Sequence, residues 1–257
     1  MVESKDKKWL AIGGVVAGIA VAAAVGGSLI RVFLKKSAKI YLQGQNIKLP
    51  LRLVDKEVIS ADTGIFTFGL PSAEYVLGIP IGGCVQFHAR INGENVKRPY
   101  TPITLDDLKG YAKFIIKIYR KDVNPKFPAG GKMTQYIDSL EIGDGLEVSG
   151  PFGFIQYCGD GVFETKAGNA RKLKATHINM VCGGTGLTPM YQLLKHILKS
   201  TSDKTKIALV FANHTESDIL MRDELEQLRD QNQSQFRIWY TVANPPQSKS
   251  FLLHKAH

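Results

Sequence analysis

The chain has 257 residues, of which 44% are hydrophobic and 22% are charged, and its formal net charge is +10. This composition excludes a disordered chain and leaves room for one large domain or two medium ones. The basic residues are spread along the sequence, without a helix-turn-helix, zinc-finger or aromatic RNA-binding signature, so we expect no nucleic-acid partner. We expect the charge to attract an acidic protein or an anionic membrane instead.

The first element is an uncharged run over residues 9–30, WLAIGGVVAGIAVAAAVGGSLI. A helix of this length is about 33 Å long, which matches a hydrocarbon core of about 30 Å. We therefore assign residues 1–36 to a transmembrane helix with short flanks. A cleaved signal peptide is the alternative, although the apolar run is longer than such peptides usually have.

The next region, residues 37–157, contains short β-rich runs broken by glycine and proline. The runs are LRLVDKEVIS, IFTFGL, CVQFHARI, KFIIKIY and GLEVSG. This spacing predicts an antiparallel barrel or sandwich, interrupted by one short helix that starts at GKMTQYIDSL. Residues 158–175 are polar and predict a hairpin or a linker.

The motif RPYTP joins a cation, a fixed turn, a phenol and a hydroxyl. Arg98 has the donor geometry for a phosphate, and Pro99 can aim Tyr100 and Thr101 at one ligand. Tyr100 suits stacking on an aromatic ring system, and Thr101 can hydrogen-bond a ring nitrogen. The alternative is an edge strand with a surface arginine and a packed tyrosine.

The motif PAGGKMT places two glycines before a helix. Gly130 and Gly131 permit close backbone approach, and the N–H groups of the helix start favour an anion. The Walker A spacing is absent, and a plain glycine turn into a helix is the alternative. Together with RPYTP, this motif indicates a pyrophosphate ligand.

The last region, residues 176–257, alternates strands and helices. HINMVC, KIALVFAN and FRIWYTVA predict strands, and LTPMYQLLKHIL and ESDILMRDELEQLRD predict helices between them. This order predicts a parallel sheet, the start of a nucleotide-binding fold. CGGTGLTPM lies where the first strand meets its helix, the position at which such folds bind a dinucleotide.

The motifs RPYTP, KFPAGGKMTQY, GPFG, GGTGLTPM and FANHTESDIL follow one another as in the NADH–cytochrome b5 reductases, which the chain closely resembles over residues 48–243. The resemblance implies an FAD-binding antiparallel β-barrel, then an α/β parallel-sheet NADH-binding domain. It also implies hydride transfer from NADH to FAD and electron transfer to a haem protein, cytochrome b5 or a similar acidic protein. The expected location is the endoplasmic reticulum membrane or the mitochondrial outer membrane, with the catalytic part facing the cytosol.

The resemblance also implies roles for individual residues. Arg98 would hold the FAD pyrophosphate, Tyr100 would stack near the flavin and Thr101 would approach the reactive part of its ring system. Pro99 also belongs to the cofactor-binding positions. The remaining cofactor-binding positions that match the family are Ile115, Lys117, Gly131, Lys132, Met133, Thr134 and Thr188. No catalytic residue is assigned, because the cofactors supply the chemistry. No metal site is expected, since the histidines and cysteines lack ligand spacing.

The resemblance breaks near the end of the chain. After FRIWYTVANPPQ the sequence reads SKSFLLHKAH, without the cysteine-glycine-proline segment of the family, and Ala243 stands where the family commonly has an acidic residue. We therefore expect an incomplete NADH-binding domain with an exposed sheet edge. The alternatives are a non-catalytic FAD-binding truncated isoform and a reductase that serves another acceptor, such as a quinone.

Overall fold

The computed structural model describes residues 38–166, 168 and 170–245. From residue 39 onward they belong to one compact unit. The predicted transmembrane helix and the residues after 245 lie outside this description. Within the part described, no helix is both long enough and apolar enough to cross a bilayer.

The first lobe, called the barrel lobe, consists of eight strands and one helix. They are β1 (Lys39–Ile40), β2 (Gly44–Ser60), β3 (Thr63–Gly69), β4 (Tyr75–Val76), β5 (Cys84–Ile91), β6 (Glu94–Tyr100), β7 (Tyr111–Lys117), α1 (Lys132–Ser139) and β8 (Gly145–Phe152). Six strands form an antiparallel sheet in the order β6-β5-β8-β2-β3-β7, and β1 pairs in parallel with β4. The strands β6 and β7 are thus the two edges of this sheet.

Aromatic residues fill the core of the barrel lobe. Phe66, Phe68, Phe87 and Phe114 are each at most 1% exposed, and the ring centroids of Phe87 and Phe114 lie 4.9 Å apart. Phe66 and Phe68 lie on one face of β3, because side chains two residues apart point the same way. β3 and β7 have few exposed residues, so both of their faces are largely covered. Helix α1 adds Ile137 to the same core. The predicted antiparallel strands of this lobe and its single short helix are confirmed, with open sheet edges at β6 and β7.

The second lobe, called the parallel lobe, follows a small antiparallel sheet. That sheet contains β9 (Ile155–Tyr157), β10 (Val162–Thr165) and β11 (Lys172–Lys174). The parallel lobe contains β12 (His177–Gly183), α2 (Leu187–Lys199), β13 (Lys206–Asn213), α3 (Arg222–Gln231) and β14 (Phe236–Val242). Its strands are parallel in the order β12-β13-β14, as the alternating pattern predicts. The polar stretch before it forms a hairpin of β10 and β11.

The prediction of one helix over ESDILMRDELEQLRD is wrong in one respect, because this segment does not form a continuous helix. The chain makes a 3-10 turn at Glu216–Asp218 and enters α3 only at Arg222, and Met221 between them has φ of +53°. Ile219 and Leu220 are both buried in the core of the parallel lobe. A continuous helix would have spread these two adjacent apolar residues over different directions, so the break lets both reach the core.

Strand β7 contributes to two hydrophobic cores. Ala112, Phe114 and Ile116 face the core of the barrel lobe, whereas Ile115 belongs to the core of the parallel lobe. Successive side chains of a strand point to opposite faces. One face of β7 therefore completes the barrel and the other supports the parallel sheet.

Candidate functional site

One cavity of about 590 Å³ lies between the two edge strands of the barrel lobe and is open to the parallel lobe. It brings together all the residues that the sequence analysis selected: Arg98, Pro99, Tyr100, Thr101, Ile115, Lys117, Gly131, Lys132, Met133, Thr134 and Thr188. These residues come from β6, β7, the start of α1 and the start of α2. We call this cavity the main cavity.

The β6 side of the main cavity presents a cation and a phenol. Strand β6 lies at the edge of the sheet beside β5, and edge strands are where a sheet tolerates a proline such as Pro99. The Tyr100 ring stacks on Phe87 with centroids 4.8 Å apart, and burial raises the pKa of Tyr100 far above its ordinary value. Among the described residues no carboxylate lies within 4.0 Å of the Arg98 guanidinium, which donates to the Lys97 carbonyl over 2.8 Å.

The start of α1 presents backbone donors. Gly131 is the N-cap and no side chain caps this end, so the first N–H groups of the helix have no intrahelical acceptor. The preceding Gly130 has φ of +66°, and a Cβ there would come within 2.4 Å of the Tyr119 carbonyl oxygen. Only glycine therefore permits this approach of the backbone to the cavity.

The side chains in the first turn of α1 differ in whether their polar groups are available to a ligand. Lys132 pairs with Glu94 over 2.6 Å at the surface, and this hydrogen bond lowers the pKa of Glu94. The Thr134 hydroxyl donates to the Gly131 carbonyl and accepts from the Tyr119 N–H. Met133 is 2% exposed and packs in the core of the barrel lobe. An anion at this turn would therefore meet backbone N–H groups, and it would meet Lys132 in exchange for the ion pair with Glu94.

The β7 side of the cavity combines an apolar wall with a paired cation. Ile115 is 4% exposed. The Lys117 ammonium lies 2.9 Å from Asp62 Oδ2 and 3.2 Å from Asp218 Oδ1. Burial lowers the pKa of Lys117, but its hydrogen bonds to the two carboxylates outweigh burial and the pKa lies above its ordinary value. Lys117 is therefore charged at neutral pH.

The parallel lobe reaches the same cavity through the glycine turn after β12. Thr185, Gly186, Thr188 and Pro189 line it, and the Thr188 hydroxyl donates to the Thr185 carbonyl over 3.2 Å. This turn lies at the carboxyl end of a parallel strand, where such sheets bind ligands. Both lobes thus contribute to one site.

A second cavity of about 790 Å³ adjoins the first. The two share Lys117, Tyr119, Gly130 and Gly131. Arg120 lines the second cavity and not the main one, and its side chain pairs with Asp138 over 3.0 Å. These shared residues place the two cavities side by side next to the start of α1.

The sequence analysis did not assign Cys84, Tyr119, Thr185 or Pro189 to the site, although each lines the main cavity. Thr185 and Pro189 belong to GGTGLTPM, so closer attention to that motif would have found them. Tyr119 ends the run that carries Lys117. Cys84 begins an ordinary strand, and no sequence pattern marks it as a site residue. Its side chain is half-buried, and burial raises the pKa of its thiol.

The residues fit a dinucleotide with a planar ring system. Arg98, Lys132 and the N–H groups of α1 suit a pyrophosphate, while Tyr100 and Ile115 supply the flat apolar surface that a ring needs. Within the described ranges, no group of three histidine, cysteine or acidic residues could hold a metal ion.

Comparison with known proteins gives matches in both lobes. Residues 50–157 match the family described as oxidoreductase FAD-binding domain, and residues 180–254 match oxidoreductase NAD-binding domain. The chain is 46% identical to NADH-cytochrome b5 reductase 3 of Rattus norvegicus, covering 84% of this chain and 73% of that protein. It is 50% identical to NADH-cytochrome b5 reductase 2 of Gallus gallus, covering 81% and 69%. The crystal structure of the cytochrome b5 reductase domain of Ulva prolifera nitrate reductase aligns with a TM-score of 0.77 and 40% identity, covering 82% of this chain and 79% of that one.

Proposed function

The chain belongs to the NADH-cytochrome b5 reductase family, and we propose that it binds FAD in the main cavity and passes electrons from NADH to a haem protein, with cytochrome b5 as the acceptor. The proposal depends most on one observation. Arg98, Tyr100 and Ile115 of the barrel lobe and Thr185, Gly186 and Thr188 of the parallel lobe line the same cavity. A flavin held by the first group therefore lies beside the sheet end at which a nicotinamide dinucleotide would bind.

The residues of the chain act by binding and orienting. Arg98, Lys132 and the uncapped start of α1 would hold the pyrophosphate of FAD, and Tyr100 would support the ring system. Thr188 and the glycine turn would bring the nicotinamide against it, and Ile115 and Pro189 would exclude water from the contact. FAD itself supplies the hydride and one-electron chemistry, so no acid–base residue is required.

The charge of the chain supports an acidic acceptor. The whole chain carries a net charge of +10. Complementary charge steers the encounter between two proteins and accelerates their association. Cytochrome b5, an acidic haem protein, fits a partner of this charge.

The test is to mix the purified flavin-loaded chain with NADH under anaerobic conditions. We expect the flavin absorbance to bleach rapidly, and added cytochrome b5 to be reduced in the same solution. A chain that takes up no flavin would refute the proposal. Bleaching with electrons passed only to a quinone or a different haem protein would retain the reductase and change the acceptor.

A non-catalytic FAD-binding protein is the second candidate, and one observation favours it. Ala243 and Asn244 occupy the carboxyl end of β14, where they hydrogen-bond the backbone of Asn213 and His214. An acidic side chain at that position would bind a ribose hydroxyl of NADH, and neither residue supplies one. A protein that stays yellow after addition of NADH would support this candidate.

The membrane attachment belongs to the same proposal. The uncharged residues 9–30 would anchor the chain in the endoplasmic reticulum membrane or the mitochondrial outer membrane, with the two lobes in the cytosol. The absence of cysteine pairs fits that compartment. Alkaline extraction of membranes tests it, because an anchored chain stays in the pellet, whereas a variant that begins at residue 37 is released.

A further inference from the structure

Lys117 joins the two lobes through a pair of carboxylates. Asp62 belongs to the turn between β2 and β3 in the barrel lobe, and Asp218 ends the 3-10 turn after β13 in the parallel lobe. The Lys117 ammonium contacts Asp62 over 2.9 Å and Asp218 over 3.2 Å. Since Lys117 itself is in β7, the contact with Asp218 crosses between the lobes.

In each carboxylate, one oxygen contacts Lys117 and the other accepts hydrogen bonds from its own lobe. Asp62 uses Oδ2 for Lys117, while its Oδ1 accepts from the hydroxyls of Ser60 and Thr63. Asp218 uses Oδ1 for Lys117, while its Oδ2 accepts from the hydroxyl and the N–H of Thr215. Each lobe therefore orients its own carboxylate before the lysine is added, and charge-assisted hydrogen bonds of this kind are the strong ones.

The bridge formed by Asp62, Lys117 and Asp218 lies beside the main cavity. Lys117 lines both cavities, and its side chain is 20% exposed. Ile115, two residues earlier on the same face of β7, packs into the core of the parallel lobe. Two carboxylates surround one ammonium, so the lysine is held from both sides.

We propose that Asp218 and Asp62 are positioning residues for Lys117, and that the Lys117–Asp218 ion pair keeps the parallel lobe in register with the barrel lobe during flavin reduction by NADH. Asp62 fixes the lysine on the barrel side, and Asp218 fixes the parallel lobe to the lysine. Neither carboxylate lines the main cavity, although Asp62 lines the second one, and each acts on the main cavity through Lys117. The inference rests on the proposed function, because it assigns a step of that reaction.

The experiment compares flavin reduction in Asp218→Asn and Thr215→Val with the parental chain by anaerobic stopped-flow. Asp218→Asn removes the charge, whereas Thr215→Val removes the supporting hydroxyl and keeps the carboxylate. We expect Asp218→Asn to slow reduction at saturating NADH about five- to tenfold, the size expected of a coupled charge pair. The half-saturating NADH concentration should change by less than about twofold, since the substituted Asp218 does not itself line the main cavity.

Two further readouts separate positioning from general damage. High salt should slow the parental chain toward the rate of Asp218→Asn and leave that variant unchanged, because salt screens a charge pair. Flavin content and the denaturation midpoint should stay close to parental values. Asp62→Asn should give a smaller loss, since the cross-lobe contact survives.

The outcomes are distinguishable from failure of the proposed function. If the parental chain binds no flavin or does not bleach with NADH, the proposed function fails. If the parental chain bleaches and Asp218→Asn does so at the same rate, only the positioning role is overturned. A larger loss in Thr215→Val, which keeps the carboxylate, than in Asp218→Asn would also overturn it, because the effect would then belong to the 3-10 turn.

Discussion

Tyr157 donates its phenolic hydrogen to Asp203 Oδ2 over 2.6 Å, and its oxygen accepts the Gly161 N–H over 2.8 Å. Asp203 lies in the loop before β13, so this bond joins the end of β9 to the parallel lobe. Thr205 donates both its hydroxyl and its N–H to Asp203 Oδ1. Burial, together with the bond to Asp203, raises the pKa of Tyr157 to about 12.

Replacing Tyr157 by phenylalanine removes the hydroxyl and leaves Asp203 and the Gly161 N–H with one partner fewer. We expect the free energy of unfolding to fall by about 1–3 kcal/mol, the cost of an unsatisfied buried group. Urea denaturation measures it, with Tyr111→Phe as the control because Tyr111 is 38% exposed. Equal stability in the two variants would contradict a structural role for this bond.

The ionisation of Asp203 also makes the stability of the fold depend on pH in the acid range. Burial would raise its pKa, but the hydrogen bonds from Thr205 and Tyr157 outweigh burial and the pKa is lowered. A depressed carboxyl pKa contributes stability that is complete above the unfolded value of about 3.9 and is lost as pH falls through the folded value. Asp203→Asn should therefore flatten the loss of stability below about pH 4.

Denaturation midpoints across a pH series measure the slope with which stability falls as the pH falls. The control is Asp122→Asn, since the Asp122 side chain is 71% exposed. That variant should keep the parental slope, and a parental slope in Asp203→Asn would exclude the buried carboxylate as a source of the acid sensitivity.

Arg98→Ala should weaken FAD binding. The guanidinium faces the main cavity without a carboxylate partner among the described residues, so its charge is available to a phosphate. We expect a loss of about 1.5–3 kcal/mol, the value of a hydrogen bond to a charged group. Quenching of flavin fluorescence measures the affinity, and Arg90→Ala on the neighbouring strand is the control; unchanged affinity in Arg98→Ala would exclude the assignment.

Gly130→Ala should destabilise the start of α1 and reduce flavin uptake together. The new Cβ would meet the Tyr119 carbonyl at 2.4 Å with φ at +66°, and strain of this kind costs about 1–3 kcal/mol. Gly145→Ala is the matched control, because a Cβ there meets no atom within 4 Å. Thermal unfolding should show a lower melting temperature for Gly130→Ala than for Gly145→Ala, and flavin titration should show weaker uptake.

The three cysteines should differ in reactivity. Cys158 is exposed, whereas Cys182 is buried and burial raises its pKa to about 11. A maleimide should therefore label Cys158 quickly and Cys182 only after unfolding, because the thiolate is the reactive form. Cys84 lines the main cavity, and bound FAD should slow its labelling. Mass spectrometry of the modified peptides identifies each site.

Much of the fold was predictable from local pattern. KIALVFAN and CVQFHARI coincide with β13 and β5, because both runs are rich in β-branched and aromatic residues between clear breaks. The motifs RPYTP and PAGGKMT also identified residues that the structure brings together in one cavity. Their role in binding FAD stays a prediction.

Other features depend on contacts far apart in sequence. Lys117 meets Asp218 across 101 residues, and no local pattern links them. The break at Met221 exists because Ile219 and Leu220 are drawn into a core that other elements build. Cys84 reaches the cavity because β5 pairs with β6 and brings the start of β5 beside Tyr100, a pairing that residue spacing does not encode.

The two faces of β7 have a consequence for how the molecule melts. A strand shared by both hydrophobic interiors cannot detach from one without exposing apolar surface of the other. The two halves should therefore lose structure in a single calorimetric transition, and a weakening substitution at Ile115 should lower the melting temperature of both.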